Sequence, residues 1–205
     1  MSKFNYLSLI LISISIIFSF YDDFIYPRDI NYDDYFPENK DKSIFNKLIW
    51  YLSQFTYQKQ ILIFIYFILK IFTDYNLETF LKILVSITIS INIAYFKYLF
   101  PHYKKNDKTN YKLYELGFYD LFPHFIDTFI IIIEIWSLSN FSFSDIYLPL
   151  YFEAFMLISV IINYYLRGVW TYGFVNLKKG ATYKLILEFL IYTHVISYII
   201  YKIKN

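Results

Sequence analysis

The sequence predicts an all-α, polytopic membrane protein: one domain over residues 1–205, built as a bundle of six transmembrane helices. Three observations predict it. Of 205 residues, 58% are hydrophobic and only 18% are charged, against about 25% charged in soluble domains. The apolar residues gather into stretches of 17–23 residues, near the roughly 20 that a helix needs to cross a 30 Å hydrocarbon core. Lysine and arginine concentrate in the connections between those stretches. The predicted spans are about 4–20, 50–72, 80–100, 121–138, 148–166 and 183–201.

The first stretch, Phe4–Phe20, follows Lys3 and stops at Tyr21-Asp22-Asp23. A secretory signal peptide is the alternative reading. The run is longer than a usual signal core and no small-x-small cleavage site follows, which favours a retained span. The second is polar in its first half, with Ser53, Gln54, Thr56, Gln58, Lys59 and Gln60, and apolar over Ile61–Phe72 apart from Lys70. Lys82 and Asn92 interrupt the third. The fourth contains the run Phe129–Ile133. Barrel strands would be about 10 residues long and strictly alternating, which these stretches are not. β-Branched isoleucine disfavours helix in water, but lipid overrides that weak preference. The loops at Asp74–Glu78 and Ser139–Tyr147 lack lysine and arginine, whereas the other three carry most of them. That bias predicts cytosolic odd-numbered loops, with both termini on the opposite side.

Composition also excludes. Without cysteine there is no disulfide scaffold, thiolate metal site or cysteine nucleophile. A net charge of +2 leaves no nucleic-acid footprint. No phosphate-binding glycine loop, zinc helix or serine elbow is present.

Ionisable groups within a span are costly and tend to face a bundle interior. The fourth span is the richest. At 100° per residue, Asp120, Asp127 and Glu134 lie about 40°, 60° and 80° to one side of His124. Three carboxylates and an imidazole thus share a stripe, which serves either as interhelical glue or as an active-site or ion-path face. Glu134 lies about 15 Å along the helix from His124, too far to share one ion. Ser53 and Thr56 share a face of the second span. Thr56 sits roughly 9 Å and His124 roughly 6 Å into their spans, from the same membrane side. The fifth loop adds Arg167, Trp170 and Tyr172 on that side. Arg167 either snorkels to headgroups or contacts a substrate carboxylate. His102 reads as a solvated loop residue, His194 as a buried hydrogen-bonding residue, and Glu153 has no role in this reading.

These residues carry a family resemblance. Asp120-Leu-x-x-His124 is followed ten residues later by Glu134, and Arg167-Gly168-Val-Trp170-Thr-Tyr172 follows the fifth span. Phe55-Thr56 precedes Tyr66-Phe67 by ten and eleven residues. Together with the span layout, these features resemble the androgen-induced protein family of small six-span membrane hydrolases. Gly173 stands where that family has proline, and Thr128 lies four residues after His124 rather than one. The resemblance implies hydrolysis of fatty acid esters of hydroxy fatty acids by an intramembrane threonine and histidine. It gives His124 as the base and Thr56 as the nucleophile. Ser53, with Gln60 seven residues on, fits a different alignment. Asp120 or Asp127 would orient the histidine, and Arg167, Trp170, Tyr172 and Asp127 would contact substrate. The implied partners are the lipid bilayer and a fatty-acyl ester. No cofactor or metal is implied, and an endoplasmic-reticulum or other endomembrane location is the default expectation. A small transporter with a proton relay, and a non-catalytic membrane subunit, are the rival readings.

Overall fold

The computed structural model describes residues 3–20, 43–99, 122–171 and 180–205. Asp120, His102 and Tyr172 lie outside them. All regular structure among the described residues is helical: α1 (Lys3–Phe20), α2 (Ile44–Ser53), α3 (Phe55–Phe72), α4 (Glu78–Ala94), α5 (Phe122–Ile135), α6 (Pro149–Arg167) and α7 (Gly180–Lys204). A π-helical turn, Tyr95–Leu99, continues α4, and a 3₁₀ turn, Phe143–Tyr147, leads into α6.

The chain is an all-α, multi-span membrane protein. Five segments are long and apolar enough to cross a bilayer: Lys3–Phe20, Phe55–Phe72, Glu78–Tyr98, Phe143–Arg167 and Thr182–Lys204. They match five of the six predicted spans. The fourth predicted span appears as α5, whose 14 described residues extend about 21 Å.

The second predicted span is two helices. Gln54 adopts extended backbone (φ −80°, ψ 130°) between α2 and α3. A helix end leaves carbonyls without partners, and the Gln58 side chain answers one by donating from Nε2 to the Leu52 carbonyl at 2.7 Å. The start of α2 is capped by Ser43, whose hydroxyl accepts from the Asn46 amide at 3.3 Å. Pro149 occupies the first turn of α6, where its missing N–H costs nothing. Gly168 ends that helix in the left-handed region (φ 70°), a conformation that a Cβ would strain.

Packing is set by polarity turned inside out. On α1 the buried residues are Asn5, Ser8, Ile12, Ser15 and Ser19, a seam recurring every three or four residues. Leu7, Ile10 and Ile17 face outward. Small and hydroxylated residues let helices approach closely in lipid, where apolar surface gives no drive to associate. The seam of α1 lies on α3 and α5. Helix α4 is the centre of the bundle, touching α3, α5, α6 and α7, and buries Leu84, Val85, Ser86, Ile87, Thr88 and Ser90 completely. On α6 the inward face is Phe152, Glu153, Met156, Val160, Asn163 and Arg167.

The α4–α7 contact turns on one hydroxyl pair. Ser197 donates to Ser86 at 2.7 Å. Ser86→Ala is expected to cost about 0.6 kcal/mol, the average for an interhelical hydrogen bond in a membrane. Ser86→Leu, which overfills the same gap, is expected to cost about 1–3 kcal/mol. Unfolding in mixed micelles with rising dodecyl sulfate measures both, and equal costs would show that the gap is not close-packed.

Candidate functional site

Three successive polar residues of α3, Gln58, Lys59 and Gln60, are all buried. Their side chains leave the helix about 100° apart, so each meets a different neighbour. Gln58 Nε2 donates to Ser159 Oγ of α6 at 2.6 Å. Gln60 Nε2 donates to Ser15 Oγ of α1 at 3.0 Å and lies 3.4 Å from Ser19 Oγ. Lys59, with no exposed surface, pairs with Asp127 of α5 at 3.0 Å and donates to Asn92 Oδ1 of α4 at 3.3 Å. One level of α3 thus ties together four other helices.

Asn92 joins this belt to the histidine. Its Nδ2 donates to the His124 carbonyl at 3.0 Å and to the Thr128 hydroxyl. Its Oδ1 lies 2.6 Å from His124 Nδ1. The amide orientation follows from chemistry: an ammonium can only donate and a carbonyl can only accept, so Oδ1 faces Lys59 and Nδ2 faces the carbonyl. His124 Nδ1 must then carry a hydrogen, which leaves the lone pair of the neutral ring on Nε2. The imidazole lies in face-to-face contact with Tyr95, centroids 3.8 Å apart. Tyr95 opens the π-helical turn after α4, a distortion often found at functional sites.

His124, Asp127 and Glu134 of the stripe are buried, but they serve two clusters. His124 and Asp127 join Lys59 and Asn92. Glu134 accepts from Tyr66 Oη at 2.8 Å and pairs with Lys70, both of α3. Ser137 also approaches the Glu134 carboxylate, at 3.3 Å. At Nδ1 the orienting position expected for Asp120 or Asp127 is held by Asn92, while Asp127 faces Lys59.

Between α3, α4, α6 and α7 lies a cavity of about 270 Å³. Phe55, Thr56, Tyr95, Tyr98, Glu153 and Phe189 are among its walls, with aliphatic residues filling the remainder. Thr56 therefore borders the cavity, and Tyr95 separates that space from the imidazole it stacks on. Ser53 is buried elsewhere: it donates to the Trp50 carbonyl at 2.7 Å and accepts from Thr171 at 2.8 Å. Trp50 Nε1 completes that cluster by donating to the Thr171 carbonyl at 3.2 Å.

Arg167 is 5% exposed and donates from Nη1 to Asn163 at 3.0 Å. It is packed inside the protein, not extended toward headgroups. Trp170 stacks on Tyr164, centroids 4.0 Å apart. His194 is half-buried rather than buried, and its Nδ1 donates to the Leu190 carbonyl at 2.7 Å. Among the described residues, no three of His, Asp and Glu gather as a metal site would require.

Lys59 and Asn92 are the partners that sequence reasoning did not assign. A signal existed in the run Gln58-Lys59-Gln60, because three adjacent polar residues cannot all face one side of a helix. Removing one member of a buried ion pair typically costs about 3–5 kcal/mol. Lys59→Met is therefore expected to lower the yield of folded protein sharply, and Lys59→Met with Asp127→Leu to recover most of it. Monodispersity on size exclusion and thermal unfolding in detergent measure this. A double variant as unstable as the single one would show that the pair's charges are not what matters.

No protein-family model, no curated protein and no solved structure matches the chain, and its own architecture carries the functional reading.

Proposed function

We propose that this protein is an intramembrane lipid esterase in which Thr56 is the nucleophile and His124 the base. The observation that carries the reading is the apolar cavity bordered by Thr56 and by Tyr95, the ring stacked on His124. A hydroxyl on the wall of an apolar chamber, with a histidine of defined tautomer behind the adjoining Tyr95 ring, supports acyl transfer from a fatty-acyl ester. For His124 Nε2 to take the proton of Thr56 Oγ1 as that oxygen attacks the ester carbonyl, the Tyr95 ring that separates them must turn aside. The alcohol leaves with the proton from His124, and an acyl-threonine remains. Water, deprotonated by the same nitrogen, then releases the fatty acid. Asn92 holds Nδ1 throughout, so the same nitrogen remains available in both half-reactions. The resemblance drawn from the sequence makes fatty acid esters of hydroxy fatty acids the first substrates to try.

The test is hydrolysis by the full chain in nanodiscs, with fluorophosphonate labelling mapped by mass spectrometry. Thr56→Ala and His124→Gln are each expected to lower turnover by about 10²-fold or more without unfolding the protein. Asn92→Leu is expected to lower kcat while labelling persists more weakly. Unchanged turnover in a folded variant lacking both Thr56 and Ser53 hydroxyls would refute the mechanism.

The continuous buried chain Asp127–Lys59–Asn92–His124 favours one second reading, a proton relay. Under it, proteoliposomes would show a pH-driven flux that Asp127→Asn abolishes. An esterase without transport predicts no such flux.

A further inference from the structure

Glu153 is 7% exposed, and both its carboxyl oxygens are buried without a hydrogen-bond partner among the described residues. It lies on α6 in the wall of the cavity. The belt, the histidine cluster and the Glu134 cluster leave it unused. We propose that the cavity between α3, α4, α6 and α7 binds a single-chain amphiphile with a primary amine head, and that Glu153 holds the amine.

Four observations lead there. First, the two groups that act on Glu153, Thr193 and His194, each also hydrogen-bond to a helix carbonyl. The one hydrogen of the Thr193 hydroxyl goes to the Phe189 carbonyl at 2.9 Å, and His194 Nδ1 gives its hydrogen to Leu190. Second, four lysines of the described bundle face other carboxylates: Lys59 faces Asp127, Lys70 faces Glu134, Lys82 faces Asp145 and Lys97 faces Glu188, and among the described titratable groups only the His194 ring acts on Glu153 from nearby. A carboxylate kept in a membrane span without a partner marks a substrate path. Third, the rings of Phe55, Tyr95, Tyr98 and Phe189 line the same space, and aromatic faces attract an ammonium. An ammonium also brings three donors to a carboxylate with two bare oxygens, where a hydroxyl brings one and no charge. Fourth, the volume, about 270 Å³, lies just below the usual range of roughly 300–1,000 Å³ for ligand pockets. It suits one alkyl chain, so only one arm of a fatty acid ester of a hydroxy fatty acid would enter it. Binding requires no turnover, so this inference stands apart from the esterase reading. If both hold, the free carboxylate of a hydroxy fatty acid ester is kept out of this cavity by Glu153.

Photocrosslinking tests it. The full chain in nanodiscs of phosphatidylcholine is exposed to three diazirine-bearing chains of equal length, ending in an amine, an alcohol or a carboxylic acid. The amine is expected to label residues 91–98 and 185–190 saturably. Unlabelled dodecylamine should compete about tenfold better than dodecanol, and Glu153→Gln should lower amine labelling about tenfold. Glu153→Asp should restore part of it. Equal competition by dodecylamine and dodecanol would overturn the proposal, as would amine labelling unchanged in folded Glu153→Gln protein. Labelling confined to the outward residues Ile158 and Ile162 would do the same. Should Glu153→Gln fail to fold, the ranking of the three probes on the unaltered protein decides.

Discussion

The bundle depends on the polar level of α3. In lipid, apolar side chains gain nothing by leaving their surroundings, so helices are held by close packing and by polar groups that need partners. Gln58, Lys59 and Gln60 point three ways from one turn of helix, and each must find protein. That requirement places α6, α4 with α5, and α1 around α3 through Ser159, Asn92 with Asp127, and Ser15. An apolar residue at any of the three would remove one of the polar ties that set the rotation of the corresponding helix.

The histidine is a consequence of the same constraint. Lys59 needs an anion and a further acceptor, which Asp127 and Asn92 supply. With its oxygen turned to Lys59, Asn92 can receive only a protonated Nδ1 from His124. A structural ion pair thus sets the tautomer of the imidazole two contacts away. The second acidic cluster, Glu134 with Tyr66 and Lys70, pins the other end of α5 to α3. Between these two anchors, α5 keeps its polar groups inside while Phe125, Phe129 and Ile132 face outward.

Much of this was legible in the sequence. The lengths and hydropathy of the apolar stretches located five spans to within a few residues, because lipid admits few other backbone structures. Burial of His124, Asp127 and Glu134 followed from the cost of charge in hydrocarbon. The break at Gln54 was not legible. Ser53-Gln54-Phe55 carries neither glycine nor proline, and the break is supported by a contact from Gln58 back to Leu52. The division of the α5 stripe into two clusters was equally hidden, since periodicity gives a direction but not a partner.

By itself the sequence determined an all-α, membrane-embedded chain and most of the residues that cannot face lipid. Those follow from local composition and helix period, which need no knowledge of neighbours. Tertiary structure alone decided the pairings: Lys59 with Asp127, Asn92 with His124, and Thr56 and Glu153 on the wall of one cavity. These depend on how α3, α4, α5 and α6 are rotated against one another. That rotation is fixed by the polar pairs that form between helices, not by any one segment.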